Sequence, residues 1–209
     1  REGVRWSDGA PFTARDVVFT FELMKKFPAL DRRGCWGFLS GVRATGERTV
    51  EFTFQRVFIP GFDEVAAQQI VPEHAWKDVA DPVTYANETP VATGPFTEVR
   101  VFRNQVYELG RNPYYWQEGR PRFDAIRCLA YPSNDRANMA LVFDELDWAG
   151  NFIPAVDRVF VARNPAHQYW FPLTGSSIFL YANTQRAPFD DIRVRKALSM
   201  AIDRDLLVD

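Results

Sequence analysis

Val4-Arg5-Trp6-Ser7-Asp8-Gly9-Ala10-Pro11-Phe12-Thr13-Ala14-Arg15-Asp16-Val17 compresses a turn, a proline stop and a helix start into one short run. Ser7-Asp8-Gly9 is a turn cluster: an Asp side chain bonds nearby backbone, and Gly takes positive φ without a Cβ clash. Pro11 ends the extended piece before it. Thr13 is an N-cap for a helix beginning at Ala14, and Asp16 three residues on makes an acidic capping box. Phe12 and Val17 occupy the two positions of a hydrophobic staple.

Outward from this run, Val17, Val18, Phe21 and Met24 share one helical face, so the spacing predicts a helix from Ala14 to about Lys26, stopped by Phe27-Pro28. Asp31 to Gly41 has no clean period and reads as a loop with Cys35, Trp36 and Phe38 as buried anchors. Val50, Phe52 and Phe54 alternate with polar residues, and with Val42–Ala44 they predict a hairpin around Thr45–Arg48. Short helical stretches follow at Pro60-Gly61 and at Pro72–Trp76. Beyond a proline-punctuated polar segment, residues 81–90, a second hairpin is expected from Phe96–Val101 and Val106–Leu109. Ala125–Tyr131 reads as a strand and Ser133 as the cap of a helix to about Phe143. Leu146–Ala149 and Ser176–Asn183 read as strands. Asp190 or Asp191 caps a last helix through Ile202. Strands and helices are mixed rather than strictly alternating, which predicts a mixed α/β (α+β) fold.

Composition narrows the function classes. Of 209 residues, 25 are Lys or Arg and 27 Asp or Glu, interspersed, for a net charge of −2. Without a basic block, nucleic acid and anionic membrane surfaces are poor partners. No apolar run approaches the length of a membrane-spanning helix. Residues 1–4 do not read as a signal peptide. Cys35 and Cys128 permit one disulfide or none, and lone cysteines commonly serve as small buried hydrophobes. Aromatic residues make up 15% of the chain, enough to fill cores and still line a ligand cleft.

Motifs for chemistry are missing. The two histidines, His74 and His167, have no metal-ligand spacing, and no paired Cys-x-x-Cys occurs. Thr174-Gly175-Ser176-Ser177 lacks the second glycine of a nucleophile elbow, and no glycine-rich phosphate loop is present. Asp190-Asp191 reads as a helix cap rather than an acid/base pair. A two-carboxylate glycosidase remains an open alternative, because its acidic pair need not be close in sequence. The expectation is a binding protein with no cofactor and no metal.

A family resemblance runs through the chain. Residues 4–17 resemble the WSDGxPFTAxDVV signature of the family 5 extracellular solute-binding proteins, receptors that feed peptides, oligosaccharides or nickel to ABC importers. Ala92-Thr93-Gly94-Pro95-Phe96 is similar to the family's G-T-G-P-[YF] turn, with Ala92 in place of the first glycine. Leu109-Gly110-Arg111-Asn112-Pro113-Tyr114-Tyr115-Trp116 resembles its L-x-R-N-P-x-Y-W element, and Leu146-Asp147 its G-E-[IL]-D position, with Asp144-Glu145 in place of Gly-Glu. Asn183 through Ala197 and Ala201-Ile202-Asp203-Arg204 resemble its last two elements.

The resemblance implies a periplasmic-binding-protein-like type II lobe with a small extra subdomain. Residues 1–97 would be that extra domain and 98–209 the middle segment of the first ligand-binding lobe. Since family members are much longer, the chain is expected to be a fragment without the closing lobe. Implied partners are a small-molecule ligand, peptide or oligosaccharide, and the ABC permease, with the membrane reached only through that permease or a lipid anchor. The implied location is periplasmic or extracellular at the cell surface. Candidate ligand contacts are Trp148, Asn151 and Phe152 in one run, Phe171, Thr174 and Ser176 in a second, and Trp36 in the small domain. Core packing suits Trp148 equally well, and turn formation suits Asn151. The aromatic wealth favours oligosaccharide, while the family's commoner cargo is peptide. A carbohydrate-active hydrolase and a non-catalytic structural or interaction domain are the competing classes.

Overall fold

Thr13 starts the first helix as its residue type predicts. In the computed structural model, which describes residues 1–170 and 180–204, the Thr13 hydroxyl accepts from Arg15 N and the Asp16 carboxylate accepts from Thr13 N at 2.8 Å, opening α1 (Ala14–Lys26). The chain divides into two compact units, residues 1–137 and 138–209.

The core of the first unit sits between α1 and a hairpin, β1 (Leu39–Gly46) and β2 (Thr49–Phe54). Phe21, Met24, Cys35, Phe38 and Leu39 are buried there, with Val42, Phe52 and Phe54 packed around them. The antiparallel register pairs Val42 with Phe52 and Ala44 with Val50, which puts the alternating apolar residues on the inner face. Two short helices complete this part, α2 (Gly61–Ala66) and α3 (Glu73–Trp76). Asp16 is buried and uses its second oxygen to accept from Glu73 N at 3.0 Å, tying α3 to the start of α1. The buried Thr20 hydroxyl donates to Asp16 O and accepts from Val71 N, a second tie to the same segment.

The segment expected as an irregular loop contains two 3-10 turns, Pro28–Leu30 and Cys35–Gly37. Asp31 orders the second by accepting from both Cys35 N and Trp36 N, at 2.8 and 2.9 Å, a local bond that carries no periodic sequence signal. Both thiols are free; Cys35 is buried and Cys128 exposed.

Downstream, β3 (Phe96–Arg103), β4 (Val106–Arg111) and β5 (Ala125–Leu129) form an antiparallel sheet in sequence order, with Leu109 paired to both Val99 and Ile126. Asn104, at φ +54°, makes the β3–β4 turn, a left-handed position that Asn tolerates. The helix α4 (Asn134–Val142) follows, and the Ser133 hydroxyl accepts from Arg136 N as a cap.

In the second unit, Ala140, Leu141 and Phe160 are buried. A single helical turn, α5 (Val156–Val159), follows Ala155 at φ +48°. α6 (Ile192–Ala201) is capped by Asp191, whose carboxylate accepts from Arg193 N at 2.8 Å. Arg195 donates to the carbonyls of Phe189 and Asp190, anchoring the chain entering that helix.

One strand expectation fails, and a second is described only in part. Leu146–Ala149 is irregular and pairs with no strand among the described residues, and a strand exists only where a partner completes its ladder. Leu180–Asn183 is irregular as well, and Ser176–Ile178 and Phe179 lie outside the described residues.

Candidate functional site

The turn motifs of the first unit converge on one scaffold. Ser7 N donates to Ala92 O at 2.9 Å, and Ala92 N donates to the Ser7 hydroxyl at 3.2 Å, so the opening turn and the Ala92–Phe96 turn hold each other directly. Asn112, 3% exposed, donates from Nδ2 to Gly94 O and accepts from Tyr114 N, while its own N–H reaches Pro95 O. Gly9 lies at φ +89° with the Tyr114 ring against it; a Cβ there would sit 3.1 Å from Tyr114 Cζ. The Trp6 ring is buried beside Phe12 at 5.3 Å. Asp8 accepts from His74 at 2.7 Å. Partial burial pushes its carboxyl up, but the bonds from His74 and Ala10 N outweigh that and hold it below the ordinary carboxylate value. Most of these residues spend their polar groups on one another; the buried Trp6 indole N–H has no partner among the described residues.

Trp36 is also absorbed by the fold. Its indole N–H donates to Phe21 O at 2.8 Å, its ring packs on the core cluster, and Lys25 Nζ lies 4.5 Å from the ring centroid.

The second unit presents the opposite picture. Trp148 is 81% exposed and Phe152 73%, both on the irregular run that follows α4. The Trp148 ring lies over Gly150, whose missing Cβ would be 3.6 Å from Trp148 Cη2. Asn151 is half-buried beside them. The backbone of this run is tied at both ends. At its start, Asp144 takes φ +59° and its carboxylate meets His167 Nε2 at 2.8 Å. At its end, Asn138 Nδ2 on α4 donates to Phe152 O at 3.0 Å. His167 stacks on Phe160, with centroids 4.1 Å apart and planes 10° from parallel, and its Nδ1 faces Phe160 O at 2.9 Å. Both ring nitrogens therefore face acceptors. The Phe160 carbonyl and then the Asp144 carboxylate favour the imidazolium and raise the His167 pKa above its ordinary value, against burial and the nearby Arg163.

Trp148, Asn151 and Phe152, expected as one candidate run, lie on one irregular segment of the chain. Trp170, which directly precedes Phe171 of the second candidate run, is 84% exposed. Phe171, Thr174 and Ser176 of that run lie outside the described residues. Asn138 and His167 escaped the sequence reading. The spacing from Asn138 to Phe152 and from Asp144 to His167 follows no local period, so only the folded chain brings them together. Among the described residues no group of three or more His, Cys, Asp or Glu side chains converges as a metal site.

Residues 1–209 match the profile described as bacterial extracellular solute-binding proteins, family 5 middle. The chain belongs to this family. The fold is the mixed α/β of periplasmic-binding-protein-like type II proteins. The family 5 chain is similar to a periplasmic oligopeptide-binding protein of an ABC transporter from Thermotoga maritima. One crystal structure of that protein aligns over 100% of this chain and 40% of the other, at 29% identity and a TM-score of 0.77. A mannohexaose-bound structure of it aligns over 77% of this chain and 31% of the other, at 31% identity and a TM-score of 0.68. A Brucella ovis protein that carries the name of an ABC transporter peptide-binding protein is 26% identical over 98% of this chain. The chain spans 34% to 39% of the length of the first curated relatives it matches.

Proposed function

We propose that this family 5 chain is part of the receptor of an ABC importer, which captures a peptide or an oligosaccharide between two lobes and hands it to the membrane permease. The exposure of Trp148 and Phe152 on a run whose backbone is tied down carries this reading. Large apolar faces held in water, with a half-buried Asn amide between them, suit sugar rings or peptide side chains that stack and hydrogen-bond. Residues 1–97 act as the small extra domain, in keeping with an opening turn and an Ala92–Phe96 turn that bond to each other. Residues 98–209 belong to the first ligand-binding lobe, and Trp148, Asn151, Phe152, Phe171, Thr174 and Ser176 are its ligand-contact residues. Trp36 serves the small domain's core. The protein works outside the cytoplasm, in the periplasm or at the cell surface, by reversible capture and without chemical turnover. Capture and lobe closure are linked, since a ligand touching both lobes favours the closed state.

Thermal melting of the whole receptor against mannohexaose and defined peptides tests the proposal. A ligand bound only by the native state raises the melting temperature in a concentration-dependent way. Calorimetry should then show saturable binding with the ligand recovered intact. Recovery of cleaved ligand would overturn the receptor reading.

A further inference from the structure

We propose that Asn138 and His167 are positioning residues that hold the Asp144–Phe152 run in a preformed shape and so fix where Trp148 and Phe152 meet ligand. The proposal rests on the receptor reading for the ligand's part, but the positioning itself is a property of the free protein.

The run has few restraints of its own. It forms no strand, and Trp148 and Phe152 project into water. Its start is fixed where Glu145 N donates to Ala140 O, closing the end of α4, and where the Asp144 carboxylate meets His167. Asp144 sits in the left-handed region, which Asp tolerates, and its carboxylate bond to His167 favours that conformation further. Its finish is fixed by Asn138, which reaches from α4 across fourteen residues of chain to the Phe152 carbonyl. Both anchors stand on rigid parts: Asn138 on a helix, and His167 against the buried Phe160 ring. A preformed run spares the ligand the ordering cost of a floppy one, and that saving appears as affinity.

Asn138 shows the cost of this arrangement. Its Oδ1 is buried with no hydrogen-bond partner among the described residues. A leucine would fill a similar volume without stranding an acceptor, so stability alone does not account for an amide here. What only the amide supplies is the Nδ2 bond to Phe152 O. His167 adds sensitivity to pH. The groups facing it are the Asp144 carboxylate and the Phe160 carbonyl, with Arg163 nearby as an opposing charge. The protonated ring donates to both acceptors; the neutral ring has one N–H and must surrender one of them.

The whole receptor, labelled with 5-fluorotryptophan and with the Trp148 resonance assigned through Trp148→Phe, tests this by fluorine NMR without ligand. In the parent, the Trp148 resonance should move with pH at a midpoint above 6.5, the ordinary His value. His167→Gln should abolish that movement. Asn138→Leu should shift or broaden Trp148 while leaving Trp6 and Trp36 unmoved and the melting temperature at or above the parent's. A structural role alone would instead lower the melting temperature and disturb no single tryptophan. A Trp148 resonance independent of pH and identical in both variants overturns the proposal. A receptor that shows these shifts yet binds none of the peptide or sugar probes keeps the positioning and loses the receptor function.

Discussion

Replacing Asp16 by alanine removes two different interactions with one substitution, and the structure allows each to be weighed. The first is local: the carboxylate accepts from Thr13 N and closes the capping box. Loss of such a cap costs about 1 kcal/mol. The second is tertiary: Oδ1 of this 5% exposed residue accepts from Glu73 N at 3.0 Å, so alanine leaves a part-buried N–H without its partner. A hydrogen bond to a charged group in that setting is worth about 2 kcal/mol. Asp16→Ala should therefore cost about 3 kcal/mol. With a urea slope of about 2 kcal/mol/M, the midpoint should fall by about 1.5 M. Thr13→Ala isolates the cap and should cost about 1 kcal/mol. Asp16→Asn keeps one acceptor oxygen and should fall between them. Urea titrations followed by tryptophan fluorescence and by far-ultraviolet circular dichroism measure all three. If Asp16→Ala costs no more than Thr13→Ala, the tie to α3 contributes nothing and the reasoning fails.

Other perturbations separate scaffold from site. Gly9→Ala should cost about 1–2 kcal/mol, because alanine pays for the left-handed backbone and its Cβ meets the Tyr114 ring; adding Tyr114→Ala should relieve only the contact, which a double-mutant cycle measures. At Gly61 a methyl would press into the Phe54 ring and crowd Phe38 and Phe58, so Gly61→Ala should lose about 1–3 kcal/mol in denaturation, and an unchanged midpoint would contradict the packing. Trp148→Ala should weaken ligand binding about 30-fold in calorimetry while shifting stability by less than about 0.5 kcal/mol, as befits an exposed ring. His167 gains two acceptors on folding and its pKa rises, so its contribution to stability is complete below the unfolded value of 6.5 and is lost as pH climbs through the folded one. Urea midpoints of the parent and His167→Gln should therefore converge on the alkaline side and diverge below it.

The local parts of the fold were legible because their bonds span a few residues. The Thr13–Asp16 box and the Val50–Phe52–Phe54 alternation announce α1 and β2 at their observed places. Asp16 also marks where legibility stops: its cap is written in the spacing, while its bond to Glu73 depends on how a distant segment returns. Asp31 organises the Cys35–Gly37 turn with side-chain bonds that have no period, so the segment read as a loop. Leu146–Ala149 had a strand's composition but finds no ladder partner among the described residues. At the candidate site, Trp148, Asn151 and Phe152 stood out by residue type. Asn138 did not, since one asparagine on a helix resembles any other until Phe152 O is seen at its amide.

The contrast between the two thiols has a practical consequence. Burial pushes the Cys35 thiol up to about 11, leaving almost no thiolate at neutral pH, whereas Cys128 on β5 is exposed. The unaltered chain thus offers one accessible sulfhydryl, on a strand of regular register. Within this chain, a maleimide dye or spin label attached there needs no engineered cysteine and no cysteine removal. With a second labelling site introduced elsewhere, distance measurements from Cys128 would test the proposed lobe closure.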